Sequence, residues 1–412
     1  MKVLWLCNVI LPKIAKAIGA PIVNTGGWLI GLSNELRKTE GIELGIIFPY
    51  SKNIRIVVDG IACFGFSNTK IEIFKSYIQE FSPDVIHVFG TESFHSYQMV
   101  SAAEELGLID NTVISIQGMV SVYEKHFFAN LPHNVIHKMT LRDLLKRDSI
   151  WNQHNKFVSR GNVEIKTIMK AKHVIGRTDW DEACTKRINP KIEYYYCNES
   201  LRNSFYVNSG TWKVEKCEQH SIFVSQCGYP IKGFHLMLEA MVDIVKKYPD
   251  AKLYTTGNTL INRSVLKRMR HGYYQYYIEK LIHKYHLEKN VVFWGSLDEE
   301  EMCKAYLKSN VFVCCSSIEN SPNSLGEAMI LGVPCVSADV GGVKNMLVDK
   351  QEGFIYPYDE PYMCAYYVMK FFENSELMKS YSTRAFEHAN RTHDVVKNNQ
   401  KLLSIYNAVK KN

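Results

Sequence analysis

The stretch SSIENSPNSLGEAMILGVPCVSADVGG, Ser316 to Gly342, decides how this chain is read. Two carboxylates, Glu319 and Glu327, bracket a run of mostly small and turn-forming residues, Asn320-Ser321-Pro322-Asn323-Ser324 among them. An apolar pattern then runs on to Gly332. This is the layout of a strand, a loop and a helix N-terminus, with an acid at each end of the loop. Free amides at a helix start attract anions such as phosphate. The carboxylates would repel a phosphate, so they suit hydrogen bonds from sugar hydroxyls. A ligand that satisfies both carries a diphosphate, a ribose and a hexose, as a nucleotide sugar does.

Outward from this block, strand-like and helix-like segments alternate. KVLWLCNVI, GIELGIIFP, PDVIHVFG, NTVISIQG and HVIGRT read as strands in the first half, with amphipathic segments between them. SIFVSQC, AKLYTTG, NVVFWG, VFVCCSS and VPCVSA repeat the rhythm in the second half. Such alternation predicts parallel sheets with helices on both faces. The expected fold class is α/β, with two doubly wound Rossmann-like domains facing across a cleft. Polar and turn-forming residues near Asn198–Lys216 set the expected division: residues 1–205 form the first domain and 206–389 the second. A helix of about residues 390–412 is expected to pack back on the first. Ligands of such sheets bind at strand carboxyl ends.

Composition narrows the class further. The 412 residues are 46% hydrophobic and 22% charged, ordinary for a globular chain. No apolar run is long enough to cross a bilayer, and MKVLWLCNVILP reads as a first strand and not as a leader. Eleven scattered cysteines without a C-x-x-C pair suggest reduced thiols and a cytoplasmic location. Net charge is +7, and its excess falls in Leu131–Lys191, with 13 Lys/Arg against 6 Asp/Glu. IHKMTLRDLLKR, Ile136 to Arg147, mixes that charge with Ile, Met and Leu, which suits an anionic membrane surface as well as a solvated helix face. No nucleic-acid-binding signature accompanies the charge, so no nucleic-acid partner is expected.

The order of motifs resembles the retaining glycosyltransferases of the GT-B fold, the group 1 family with two such glutamates. The residues that carry it are NTGGW near the start, PDVIHVFG, VIGRTDWD, YPIKG, NVVFWGSL and the glutamate block. The resemblance implies that Glu319 lies by the donor sugar and Glu327 binds the ribose hydroxyls. Amides of Asn323, Ser324 and Leu325, with Asn320 beside them, would face the sugar and diphosphate. Lys232-Gly233 would hold the leaving diphosphate, which needs a cation when no metal is bound. The family's arginine five residues earlier is replaced by Cys227 beside Gln226, so the second positive charge would come from elsewhere, Arg177 for example, or from a helix dipole. Gly26 and Gly27 would let backbone approach the diphosphate. Trp294 would pack near the base. Gln117 stands where the family often has a histidine, and His87, Glu92 and His95 are acceptor-side candidates. The acids of Asp179-Trp180-Asp181 open a helix and read as caps. No metal and no cofactor is expected.

The implied activity is transfer of a sugar from a nucleotide-diphosphate sugar to an acceptor hydroxyl with retention. A glycan or lipid-linked acceptor, polysaccharide or glycolipid synthesis, and a cytoplasmic enzyme peripheral at the inner membrane face complete the expectation. Two readings stand beside it: a nucleotide-sugar epimerase or phosphorylase on the same plan, and a non-catalytic nucleotide-sugar-binding protein.

Overall fold

A computed structural model describes residues 1–21, 26–257 and 270–410. Asn24 and Thr25 of the NTGGW motif lie outside the described residues. Each of the ten segments read as strands carries an observed strand, and they fall into two sheets.

The first sheet contains β1 (Lys2–Leu6), β2 (Glu43–Pro49), β3 (Ile54–Val58), β4 (Ile61–Phe66), β5 (Val85–Phe89), β6 (Thr112–Ser115), β7 (His173–Gly176) and β8 (Glu193–Tyr196). Its order is β3-β4-β2-β1-β5-β6-β7-β8. All pairs are parallel except β3–β4. That hairpin was not anticipated, although its turn has a sequence signal. Asp59-Gly60 separates two β-branched and apolar runs, and both residues take positive φ, 50° and 79°. β1 and β5 are almost wholly buried, as inner parallel strands covered on both faces must be.

The second sheet contains β9 (Ser221–Val224), β10 (Lys252–Thr255), β11 (Val291–Phe293), β12 (Val311–Cys314), β13 (Cys335–Ala338) and β14 (Gly353–Tyr356). Its order is β11-β10-β9-β12-β13-β14, parallel throughout. The chain runs outward from β9 to one edge, then returns to β12 and runs to the other. The switch of direction therefore lies between β9 and β12, where a doubly wound sheet opens its ligand crevice. In the first sheet the corresponding switch lies between β1 and β5.

Two units follow from the contacts. The first comprises Met1–Ser121, Val158–Arg202 and His393–Asn412; the second comprises Val122–Phe157 and Asn203–Thr392. The sequence-based division near residue 205 differs in one stretch, because residues 122–157 group with the second unit. Hydrogen bonds account for that grouping. His235 Nε2 meets the Ala129 carbonyl at 2.6 Å, and the Tyr273 amide donates to Asp143 Oδ2 at 2.7 Å. Within the first unit, the helix Val395–Val409 is pinned by Tyr406. Trp5 Nε1 donates to its hydroxyl at 3.0 Å, and that hydroxyl meets His87 Nδ1 at 2.6 Å.

Candidate functional site

Lys232 follows β9 and Glu319 follows β12, so both stand at the switch point of the second sheet. The turn Pro230–Lys232 is fastened to the end of β12. The Ser317 amide donates to the Ile231 carbonyl at 2.9 Å, and Cys315 Sγ lies 3.2 Å from the Lys232 carbonyl. Gly233 takes φ 66°, and a Cβ there would stand 1.9 Å from the Cys315 carbonyl oxygen. Only glycine permits this approach. It brings Lys232 Nζ to 2.5 Å from Glu319 Oε1.

Glu319 is held from two other sides. Ser316 Oγ donates to the same Oε1 at 2.7 Å. The Gly342 amide donates to the Glu319 carbonyl at 3.1 Å, and Gly341 (φ 50°) lies so close that a Cβ would reach that oxygen at 1.9 Å. The glycine pair that ends the SSIEN…VGG block thus sets the backbone of its first glutamate. The side chains of Lys232 and Glu319 are 20% and 10% exposed. Burial opposes the charge on Lys232, but the groups around it, the Glu319 carboxylate foremost, together more than offset it and hold the ammonium well above its ordinary range.

The helix Asn323–Leu331 starts directly after the loop, with Pro322 at its cap and no side chain capping it. Its first turn holds no acid, so the positive end of its dipole is not neutralised locally. The Leu325 amide is already committed, donating to the Pro322 carbonyl at 2.9 Å, which corrects its expected role toward a diphosphate. The amides of Asn323 and Ser324 precede it in the same turn. Glu327 is buried on this helix, 3.4 Å from the Tyr306 hydroxyl, which also donates to the Ser324 carbonyl at 3.0 Å. Asn320 is buried beside Glu319. His126 adjoins this loop, since Ser317 Oγ donates to its carbonyl at 2.8 Å. Sequence reading missed this contact, as it missed Ser316.

Other expected positions hold different roles. Cys227, standing where a second cation was looked for, is buried and its thiol lies 3.2 Å from the Thr256 carbonyl. Burial pushes that thiol up to about 11, so it stays neutral. Trp294 stacks on Tyr254 with ring centroids 4.2 Å apart, and Lys308 lies over both rings. It packs at the end of β11 as part of an aromatic stack.

In the first unit, Arg177 is engaged in an internal ion pair. Its guanidinium is buried, with Nη1 2.6 Å from Glu199 Oε2 and Nη2 3.2 Å from the Gln117 carbonyl. Gln117 Nε2 donates to the other Glu199 oxygen at 2.8 Å, so Gln117 belongs to the same internal network. His87 is also a core residue and not an acceptor contact. Both its ring nitrogens are engaged, Nδ1 with Tyr406 and Nε2 with Ser115 Oγ at 2.7 Å. Burial lowers it to about 3, so it is neutral. The cavity that His87 and Arg177 line measures about 30 Å³, room for little more than water.

Glu92 and His95 do gather at the switch point of the first sheet. His95 Nε2 lies 2.5 Å from Asn8 Oδ1, and Glu92 Oε1 accepts from Arg160 Nη2 at 2.9 Å. Gly90 (φ 87°) leaves the space between them, since a Cβ there would meet Asn8 Nδ2 at 2.8 Å and Glu92 Oε2 at 3.1 Å. Gly26 and Gly27 answer to packing. Gly26 (φ 74°) abuts Val9, and a Cβ on Gly27 would lie 2.6 Å from Arg202 Cγ. Asp181 is buried and accepts from the Arg177 amide at 3.1 Å, and its own amide donates to the Thr178 hydroxyl. Among the described residues no group of three or more His, Cys, Asp or Glu could hold a metal ion, and no helix is long and apolar enough to cross a membrane.

This geometry, two Rossmann-like α/β units with parallel sheets, is that of GT-B glycosyltransferases. Residues 213–388 match the family of glycosyl transferases group 1. The match covers the whole Lys232–Glu319 site. Among solved structures, sucrose-phosphate synthase from Thermosynechococcus elongatus is similar at a TM-score of 0.70 and 15% identity, covering 99% of this chain and 98% of that one. Anabaena HepE in complex with UDP is similar at 0.65 and 15% identity, covering 99% and 100%. A putative glycosyltransferase of Bacillus subtilis, YtcC, is 25% identical over 183 residues, 44% of this chain and 43% of that protein. The sulfoquinovosyl transferase SQD2 of Arabidopsis thaliana is 30% identical over 121 residues, 29% of this chain and 20% of that protein. The chain thus matches less than half the length of either relative.

Proposed function

We propose that this protein is a glycosyltransferase that moves a sugar from a nucleoside-diphosphate sugar to an acceptor hydroxyl, with retention and without a divalent metal. The observation that carries the reading is the Lys232–Glu319 pair, set at a switch point beside an uncapped helix start. On donor binding Lys232 turns from Glu319 to the diphosphate, where a cation stabilises charge as the leaving group departs. The Asn323 and Ser324 amides act on the same charge. Glu327 accepts from the ribose hydroxyls, and Glu319, held by Ser316, accepts from a sugar hydroxyl. The acceptor proton passes to an oxygen of the departing diphosphate as the new glycosidic bond forms. This step needs no separate base. The polar cluster of Asn8, Glu92 and His95 is the acceptor-side candidate of the first unit. The acceptor class we favour is a glycan or lipid-linked sugar at an anionic membrane surface.

The test is a panel of nucleotide sugars, read as release of the nucleoside diphosphate and as product mass. UDP-sugars come first, because HepE binds UDP. Release with a product heavier by one sugar supports transfer, and an isomer of the donor without release would make the protein an epimerase. One observation favours a second reading: the neutral Cys227 thiol stands where a second cation would strengthen leaving-group stabilisation. Donor-dependent thermal stabilisation without any release, across acceptors, would make the protein a nucleotide-sugar binder.

A further inference from the structure

The short helix Leu141–Lys146 is turned inside out. Its one acid, Asp143, is fully buried, while Leu141, Leu144 and Leu145 are 64%, 61% and 76% exposed. Spacing of three and four residues places the leucines on one face. The burial of Asp143 is fully accounted for. Its carboxylate accepts from the Thr140 amide at 3.0 Å and the Tyr273 amide at 2.7 Å, and pairs with Arg142 at 3.1 Å. The acid therefore docks the segment onto the helix Tyr273–Lys284, and that docking turns the leucines to solvent. Met139 and Trp151, flanking the helix in the sequence, are 53% and 43% exposed.

The charges around these side chains have one sign. Between His133 and Trp151 the only acids are Asp143 and Asp148, and Asp148 is paired with Arg142 and Lys156. Lys138, Lys146 and Arg147 are exposed and form no ion pair among the described residues. Leucine, methionine and tryptophan ringed by unpaired cations match an anionic bilayer, whose headgroups take the cations and whose acyl boundary takes the apolar side chains. A protein partner would more commonly meet a mixed-charge rim.

We propose that residues 138–151 dock the protein on an anionic lipid bilayer, with the leucine face of Leu141–Lys146 entering the acyl boundary. The proposal extends the membrane-linked acceptor named above, and its test reads lipid binding without donor or transfer, so either can fail alone. The full chain is floated with phosphatidylcholine vesicles and with vesicles that also contain phosphatidylglycerol. Binding is expected only to the second and should weaken with salt. Each basic residue adds roughly fivefold to partitioning, so replacing Lys138, Lys146 and Arg147 by Gln should lower it by on the order of a hundredfold. Leu144→Glu with Leu145→Glu should abolish flotation and leave the melting temperature and donor-induced stabilisation unchanged, because both side chains already stand in solvent. Failure of the wild-type chain to float with phosphatidylglycerol vesicles would overturn the proposal. So would equal flotation of the variants, or a wild-type dimer that the leucine variant converts to monomer without any lipid binding, which would mark the face as a contact between copies.

Discussion

Removing one member of the Lys232–Glu319 pair should cost more stability than removing both. The two side chains are 20% and 10% exposed and 2.5 Å apart, so either alone is a charge left largely out of water. Breaking a buried pair costs about 3–5 kcal/mol, whereas replacing both partners by apolar residues of similar size is often neutral. The fifth of Lys232 that meets solvent lowers the figure for Glu319→Ala to about 2–3 kcal/mol. For a unit of this size that is a fall in melting temperature of roughly 4–12 °C. The double variant Lys232→Met with Glu319→Leu should melt above either single variant. Circular dichroism melts of the wild type, Lys232→Met, Glu319→Leu and their double variant close a double-mutant cycle, with a coupling of about 2 kcal/mol or more. Turnover separates the roles, since all three variants should lose activity on the order of a hundredfold or more as leaving-group and sugar contacts go. Single-variant effects that simply add, with Glu319→Ala melting like the wild type, would refute the pair and with it the placement of Lys232.

Two further outcomes are expected. Gly233→Ala and Gly341→Ala should each destabilise and inactivate the protein, because both need positive φ and both would drive a Cβ to 1.9 Å from a carbonyl oxygen. Gly228→Ala, with nothing within 4 Å of its Cβ, should melt like the wild type, and a neutral Gly233→Ala would contradict the zipped turn. Stability should fall as pH drops from 7 to 5. Burial lowers His87 to about 3 and His235 to about 4, from 6.5, so the unfolded chain binds protons in this window that the folded chain refuses. Stability is then complete above the unfolded value and lost below it, by about 2 kcal/mol per histidine at pH 5. A melting temperature that is flat or rises toward pH 5 would rule this out.

The placement of the candidate site was legible in the sequence where chemistry and local turn geometry coincide. Glu319, Glu327 and Lys232 sit at strand ends and a helix start that apolar runs and glycines mark without ambiguity. Arg177, Gln117 and His87 look the same by that logic, since each ends or lies near a strand. The difference is which partner reaches them. Glu199 lies 22 residues beyond Arg177 in the chain, and Tyr406 lies 319 residues beyond His87. No local pattern announces such partners. Ser316 was overlooked for the opposite reason, being an ordinary small residue until Glu319 folds back over it.

By itself the sequence determined two largely parallel sheets, ten of the fourteen strands observed among the described residues and the loop that bears the glutamates, because strand burial and helix starts are set by neighbours a few residues apart. Tertiary structure alone decided which charges were spent internally. It paired Arg177 with Glu199, buried Asp143 beneath a helix whose leucines then faced water, and joined residues 122–157 to the second unit. A charge finds its lowest free energy with whatever partner packing brings within reach, and in this fold those partners come from distant parts of the chain.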